Sequence, residues 1–221
     1  AEVDAVIISD VGLLQYIKDE GYDINVHIST CASTYNYEAV NFYKDMGACR
    51  IILPRHMTIK EINELKAKNP ELEYEILVLN TNCQYDDGYC TYEHSLGNYS
   101  RKPGYQGGGC GAIQNIKTYY KKGELKNGNA LDISEKYREH QRSLGNTCGA
   151  CFLGKMNLSE IDALKIVGRE YIIERKEKDI KFLLKVREII NNSCTKDDIS
   201  AEVKGFFKEI YKRDCMEKCY Y

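Results

Sequence analysis

Glu73-Tyr74-Glu75-Ile76-Leu77-Val78-Leu79 runs straight into Asn80-Thr81-Asn82-Cys83, and the rest of the chain is arranged about this junction. The first seven residues are an apolar, partly β-branched run of strand length. The stretch after them is irregular and rich in cysteine and glycine: Cys83, Cys90, Cys110, Cys148 and Cys151, interspersed with Gly88, Gly107-Gly108-Gly109, Gly111 and Gly149. Regular structure resumes only with Ala163-Leu164-Lys165-Ile166-Val167. Half of the ten cysteines therefore sit in one excursion between two strands. Glycine beside a thiolate lets the backbone approach an inorganic group closely and turn N–H groups toward sulfur. The excursion is expected to hold an iron–sulfur cluster, with zinc on four cysteines as the competing metal.

Upstream, strands and helices alternate. Ala5–Ser9 reads as a buried strand, followed by helical spacing at Leu13, Leu14 and Ile17 up to Gly21. Asn25–Thr30 is the next strand and Tyr37–Met46 an amphipathic helix closed by Gly47. Arg50–Leu53 is a third strand, ended by Pro54, and Thr58-x-x-Glu61 opens a helix with a capping-box pattern that stops before Pro70. Downstream, Lys176–Asn191 and Asp198–Tyr211 read as two helices. This rhythm predicts a parallel α/β sheet with right-handed crossovers. The expected architecture is a partial TIM-like (β/α) barrel spanning residues 1–221, with an iron–sulfur insertion over 80–152 and C-terminal helices over 170–221. Ser29-Thr30, Arg55-His56, Asn80-Thr81 and Gly168-Arg169 all fall at C-terminal strand ends, the face that carries chemistry in such barrels.

Composition narrows the class. A chain of 221 residues with 43% hydrophobic and 29% charged residues can bury a core. It has no apolar run long enough to span a membrane and no basic-then-apolar leader, so a cytoplasmic location is the expectation. The net charge of −2 is unevenly spread: Arg101–Arg142 holds nine Lys/Arg against four acids. RNA or a small anionic substrate near the cysteines is the partner this local excess suggests, with a solvated surface as the plainer reading. A disulfide scaffold fits poorly in a chain this long. Cys31, Cys49 and Cys194 read as structural thiols. The pair Cys148-Gly149-Ala150-Cys151 would suit zinc or redox work. Cys215 and Cys219 have i, i+4 spacing on a possible helix, with frayed terminal thiols the simpler reading.

Four motifs in register resemble the collagenase-like peptidase family (unclassified-type peptidase family thirty-two). Cys83-x4-Gly88-x-Cys90 follows a strand that carries Glu75 eight residues before its first cysteine. His27-Ile28-Ser29-Thr30 is similar to that family's His-Ala-Ser-Thr strand. Leu53-Pro54-Arg55 is similar to its Leu-Ala-Arg segment, and Lys165-Ile166-Val167-Gly168-Arg169 to its Lys-Ile-Glu-Gly-Arg segment. The resemblance implies a TIM-like barrel and a four-iron cluster on Cys83, Cys90, Cys110 and Cys148, the last chosen over Cys151 by its offset from Lys165. Apart from the resemblance, position at the strand ends suggests substrate binding by His27, Thr30, Arg55 and Arg169, the two arginines clamping a carboxylate or phosphate, with a core histidine and an ion pair closing the barrel as the plainer readings. Relatives carry out oxygen-independent hydroxylation of RNA or of small aromatic precursors, and others keep the collagenase-like peptidase name. Cys31, His56 and Val167 stand where the family has Gln, Glu and Glu, and the missing carboxylates favour a non-catalytic partner subunit more than family membership alone would, with a peptidase as the other alternative. The family's first three βα units, about 80 residues, have no counterpart before Ala1. A second copy, a partner chain or a preceding segment is therefore expected to pair with Ala5–Ser9 and complete the barrel.

Overall fold

The computed structural model describes residues 3–80, 87–89, 147–156, 161–168, 171–192, 196–215 and 219–220. All of them belong to one compact unit. Its elements are β1 (Ala5–Ile8), α1 (Val11–Asp19), β2 (Asn25–Ile28), α2 (Tyr37–Asp45), β3 (Arg50–Ile52), α3 (Ile59–Lys68) and β4 (Glu73–Asn80). After the excursion come β5 (Thr147–Cys148), the single-turn α4 (Ala150–Leu153), β6 (Ala163–Ile166), α5 (Ile173–Asn192) and α6 (Lys196–Tyr211). A 3₁₀ turn at Thr30–Ala32 follows β2.

The helix starts are encoded locally. Asp10 and Asn36 accept the N–H groups of Leu13 and Ala39 at 2.7 and 2.9 Å. At α3 the expected capping box is present: the Thr58 hydroxyl accepts from Glu61 N, and the Glu61 carboxylate accepts from Thr58 N at 2.7 Å.

The strands form a mostly parallel six-stranded sheet in the order β1-β2-β3-β4-β5, with β6 also paired to β4. β1–β2, β2–β3, β3–β4 and β4–β6 are parallel, the last with an irregularity between Leu77 and Leu79. β5 runs antiparallel against the end of β4, pairing Leu79 with Cys148. Sequence reading missed this two-residue strand, because two residues carry no periodicity. Strand alternation gives the sheet two unlike faces. Val26, Ile28, Ile51, Tyr74, Ile76 and Val78 join Leu14, Val40, Ile62, Leu153, Phe182 and Val203 of the helices in one core. The other face carries a small cluster of Ile52, Leu77 and Tyr220, with Val167 against it.

The α/β order and parallel pairing agree with expectation. The described strands make an open sheet, however, and do not close into a barrel. Among the described residues β1 pairs with β2 alone, and Ile7 is 56% exposed, so Ala5–Ile8 is an edge strand of the described sheet. Ile8 belongs to the core and Val6 packs against it.

Candidate functional site

The C-terminal ends of β2, β3, β4 and β6 meet two buried carboxylates that sequence reading did not single out. The first is Asp87, 4% exposed. Its Oδ2 accepts from Arg55 N at 2.8 Å, its Oδ1 accepts from Arg55 Nη1 at 2.7 Å, and its carbonyl accepts from the Tyr35 hydroxyl at 2.8 Å. Arg55, expected to clamp a substrate anion, is thus already held by a carboxylate of its own chain. Its Nε remains buried without an acceptor among the described residues, so one donor of the fork is still unspent. Gly88 makes the docking possible. At φ +87, a Cβ there would run into the Ser33 hydroxyl and lie 2.8 Å from the Cys31 carbonyl. The glycine of the Cys-x4-Gly-x-Cys motif is therefore required by the close approach of the loop to the turn after β2.

The second carboxylate is Asp179 on α5, which has no solvent exposure. It accepts from Asn80 Nδ2 at 2.8 Å, Arg175 Nε at 2.9 Å and the Tyr211 hydroxyl at 2.6 Å. Asn80 has a left-handed backbone (φ 78) at the end of β4. It also donates to Val167 O at 2.7 Å, and its Oδ1 accepts from Arg175 Nη2 at 2.8 Å. Every polar atom of the Asn80 side chain is used, so the residue locks the mouth of β4 to β6 and α5.

Tyr220 links the two groups. Its ring packs on Ile52 and Leu77, and its hydroxyl lies 3.4 Å from Asn80 O. Burial pushes the phenol's pKa up, and the Arg55 guanidinium beside it acts in the opposite direction. A residue near the end of the chain thus sits on the rim formed by the strand ends.

Of the residues expected to bind substrate, Thr30 is buried in the 3₁₀ turn, with Ser29 Oγ capping Cys31 N at 3.2 Å. His27 lies deeper, paired in register with Arg50, on the sheet face opposite Val26 and Ile28. It belongs to a row of charges: Arg50 Nε donates to Glu73 at 2.8 Å, and Glu75 accepts from Lys165 Nζ at 2.8 Å and from Arg50 Nη1 at 3.4 Å. Desolvation, then Arg50, lower the His27 pKa, so the ring is neutral at pH 7. Arg169 lies outside the described residues.

Cys148 is the one expected metal ligand that is described; Cys83, Cys90 and Cys110 lie outside the described residues. Its thiol is largely buried at the end of β5, and its Sγ accepts from Ala150 N at 3.4 Å, across the start of α4. Burial pushes the thiol up to about 12, with Cys151, Cys215 and Cys219 close enough to add to the shift. Such a thiol is mostly protonated near neutral pH, a nearby cation would favour its thiolate, and an N–H aimed at sulfur suits a metal-bound thiolate. The donor therefore fits a cluster ligand. No three His, Cys, Asp or Glu side chains among the described residues come together to hold a metal ion. Cys219 lies on no helix: it forms an isolated parallel bridge with Cys148.

A family model described as peptidase family U32 matches residues 1–221. The chain belongs to that family. Among curated U32 relatives, tRNA hydroxylation protein P of Haemophilus influenzae is 38% identical over 87 residues, 39% of this chain and 19% of that protein. tRNA hydroxylation protein P1 of Bacillus subtilis is 26% identical over 217 residues, 96% of this chain and 48% of that protein. The chain thus spans about half the length of the Bacillus relative. An uncharacterised protease of Methanocaldococcus jannaschii is 37% identical over 94 residues. The solved U32 peptidase Mk0906 is 24% identical, with a TM-score of 0.32, over 35% of this chain and 32% of that one.

Proposed function

We propose that this U32 chain is part of a tRNA-hydroxylating protein whose iron–sulfur cluster is held by Cys83, Cys90, Cys110 and Cys148. The observation that carries the reading is membership of U32 together with relatives named for tRNA hydroxylation. Two features support it. Cys148 is a largely buried thiol receiving a backbone N–H, the environment a ligating thiolate needs. The basic excursion Arg101–Arg142 offers charge for an RNA backbone. The cluster, when bound, supplies one-electron chemistry. The chain's own residues orient and enclose: Asp87 fixes Arg55, whose buried Nε would take an acceptor on the substrate, and Asn80 with Asp179 holds the mouth of β4 rigid. Neutral His27 would act as an acceptor or donor without adding charge. The substrate readings narrow to tRNA on the relatives' names, and a second chain completing the barrel along β1 is part of the same proposal.

Anaerobic purification followed by absorption spectroscopy and iron, sulfide and zinc analysis tests the cofactor. Cys148→Ser is expected to lose most of the iron, with Cys151→Ser milder. Nucleoside mass spectrometry of tRNA from cells lacking the gene tests the activity. Hydroxylated nucleosides should fall and return with the wild-type gene but not with Cys148→Ser. Unchanged tRNA in the deletion would remove the functional reading; zinc in place of iron would remove the cluster.

A further inference from the structure

Cys219 and Tyr220 lie beside β5. Cys219 forms a parallel bridge with Cys148, and Tyr220 N donates to Cys148 O at 3.3 Å. Tyr220 is 8% exposed and packs in one cluster with Ile52 and Leu77, which holds the register. Bridged residues on neighbouring strands have Cα atoms about 4.8 Å apart. That is inside the range of about 4.4–6.8 Å that a disulfide spans, and paired side chains leave the same side of the sheet. Neither cysteine is in a disulfide, and Cys219 is exposed. Cys151 is less suited, being on α4 and hydrogen-bonded to Ser200 of α6.

We propose that Cys148 and Cys219 are a reversible thiol–disulfide pair, whose oxidation ties the tail to β5 and withdraws Cys148 from metal binding. The withdrawal from metal rests on the cluster reading; the pairing itself does not. The oxidant is a small disulfide such as oxidised glutathione. The exposed Cys219 thiolate attacks one of its sulfurs, forming a mixed disulfide and releasing one glutathione thiolate. Cys148 then gives up its proton as its sulfur attacks Cys219 Sγ, forming the protein S–S bond and releasing the second glutathione thiolate. Two protein thiols are oxidised, one glutathione disulfide is reduced to two thiols, and the two protein protons end on the leaving groups. A cluster-loaded protein cannot enter the second step, since its Cys148 sulfur is bonded to iron.

The test treats the full chain, iron-stripped under anaerobic conditions, with oxidised glutathione. Remaining thiols are then alkylated and the non-reduced peptides mapped by mass spectrometry. The expected product joins Cys148 to Cys219. Cys215→Ser should leave its yield within about twofold, while Tyr220→Ala, which frees the register, should slow its formation about tenfold. Cys148 found joined mainly to Cys151 or to a cysteine of the excursion, or left as a thiol, would overturn the pair. Iron-loaded protein should resist the reaction, and equal yield with and without iron would overturn the mutual exclusion. A chain that never holds iron but still forms the Cys148–Cys219 bond would sink the cluster reading and leave the pair standing.

Discussion

Asp179 shows what one residue holds at the rim. It is completely buried, and three donors from β4, α5 and α6 converge on its carboxylate. Replacing it by Ala would leave the Arg175 guanidinium, the Asn80 amide and the Tyr211 hydroxyl without their acceptor. Removing one partner of a fully buried pair costs about 3–5 kcal/mol, and the partial exposure of Arg175 brings the figure here to about 2–3 kcal/mol. Asp179→Ala is therefore expected to lower stability by about that amount in urea unfolding, and Asp179→Asn by less. A loss below about 1 kcal/mol would show that the network is already open to water.

Elements in this chain are set by short local signals and by the neighbours they pack beside. α3 begins where Thr58 and Glu61 satisfy each other's backbone N–H groups. Thr58→Ala should cost about 1 kcal/mol, visible as a shift of the urea midpoint with no change in slope. β1 is governed instead by what lies on its open side. Its one neighbour among the described strands is β2, and Ile7 is exposed on the face opposite Ile8. A long apolar edge invites another strand, and a lysine on such an edge discourages it. Light scattering at micromolar concentration is expected to show association that Ile7→Lys reduces. Equal masses for both proteins would remove β1 as the contact.

At the scale of the molecule, the pH dependence of stability is set by buried phenols on one side and His27 on the other. Burial raises Tyr74 to about 12, and Tyr211 and Tyr220 are shifted in the same direction. The folded state holds these protons more tightly than the unfolded chain. Stability is therefore fully present below the ordinary tyrosine value near 10 and is lost as pH rises through the folded values. His27 works in the opposite direction: its folded pKa is lowered from 6.5, so the unfolded chain takes up the proton first and stability declines as pH falls below that value. Urea midpoints should be lower at pH 11 than at pH 8, and lower at pH 5 than at pH 7. A higher midpoint at pH 11 than at pH 8 would show that the phenols are not buried in solution.

The elements and their order are written in local sequence. β4 is a run of apolar residues long enough to be read alone, the capping box at Thr58 is a four-residue signal, and α1, α2, α5 and α6 carry their apolar spacing within a single element. The strand ends and the cysteines are legible as well, because motifs such as His27–Thr30 and Cys83-x4-Gly88-x-Cys90 are contiguous. The contacts those ends make emerge only when the chain folds. Asp87 reaches Arg55 across 32 positions, Asp179 reaches Asn80 across 99, and Tyr220 reaches Asn80 across 140. Hydrogen bonds between such distant groups leave no period and no spacing in the chain. β5 and the Cys148–Cys219 bridge were hidden for the same reason. A two-residue strand is stabilised by its neighbours rather than by its own pattern, and the neighbours are chosen when the sheet assembles.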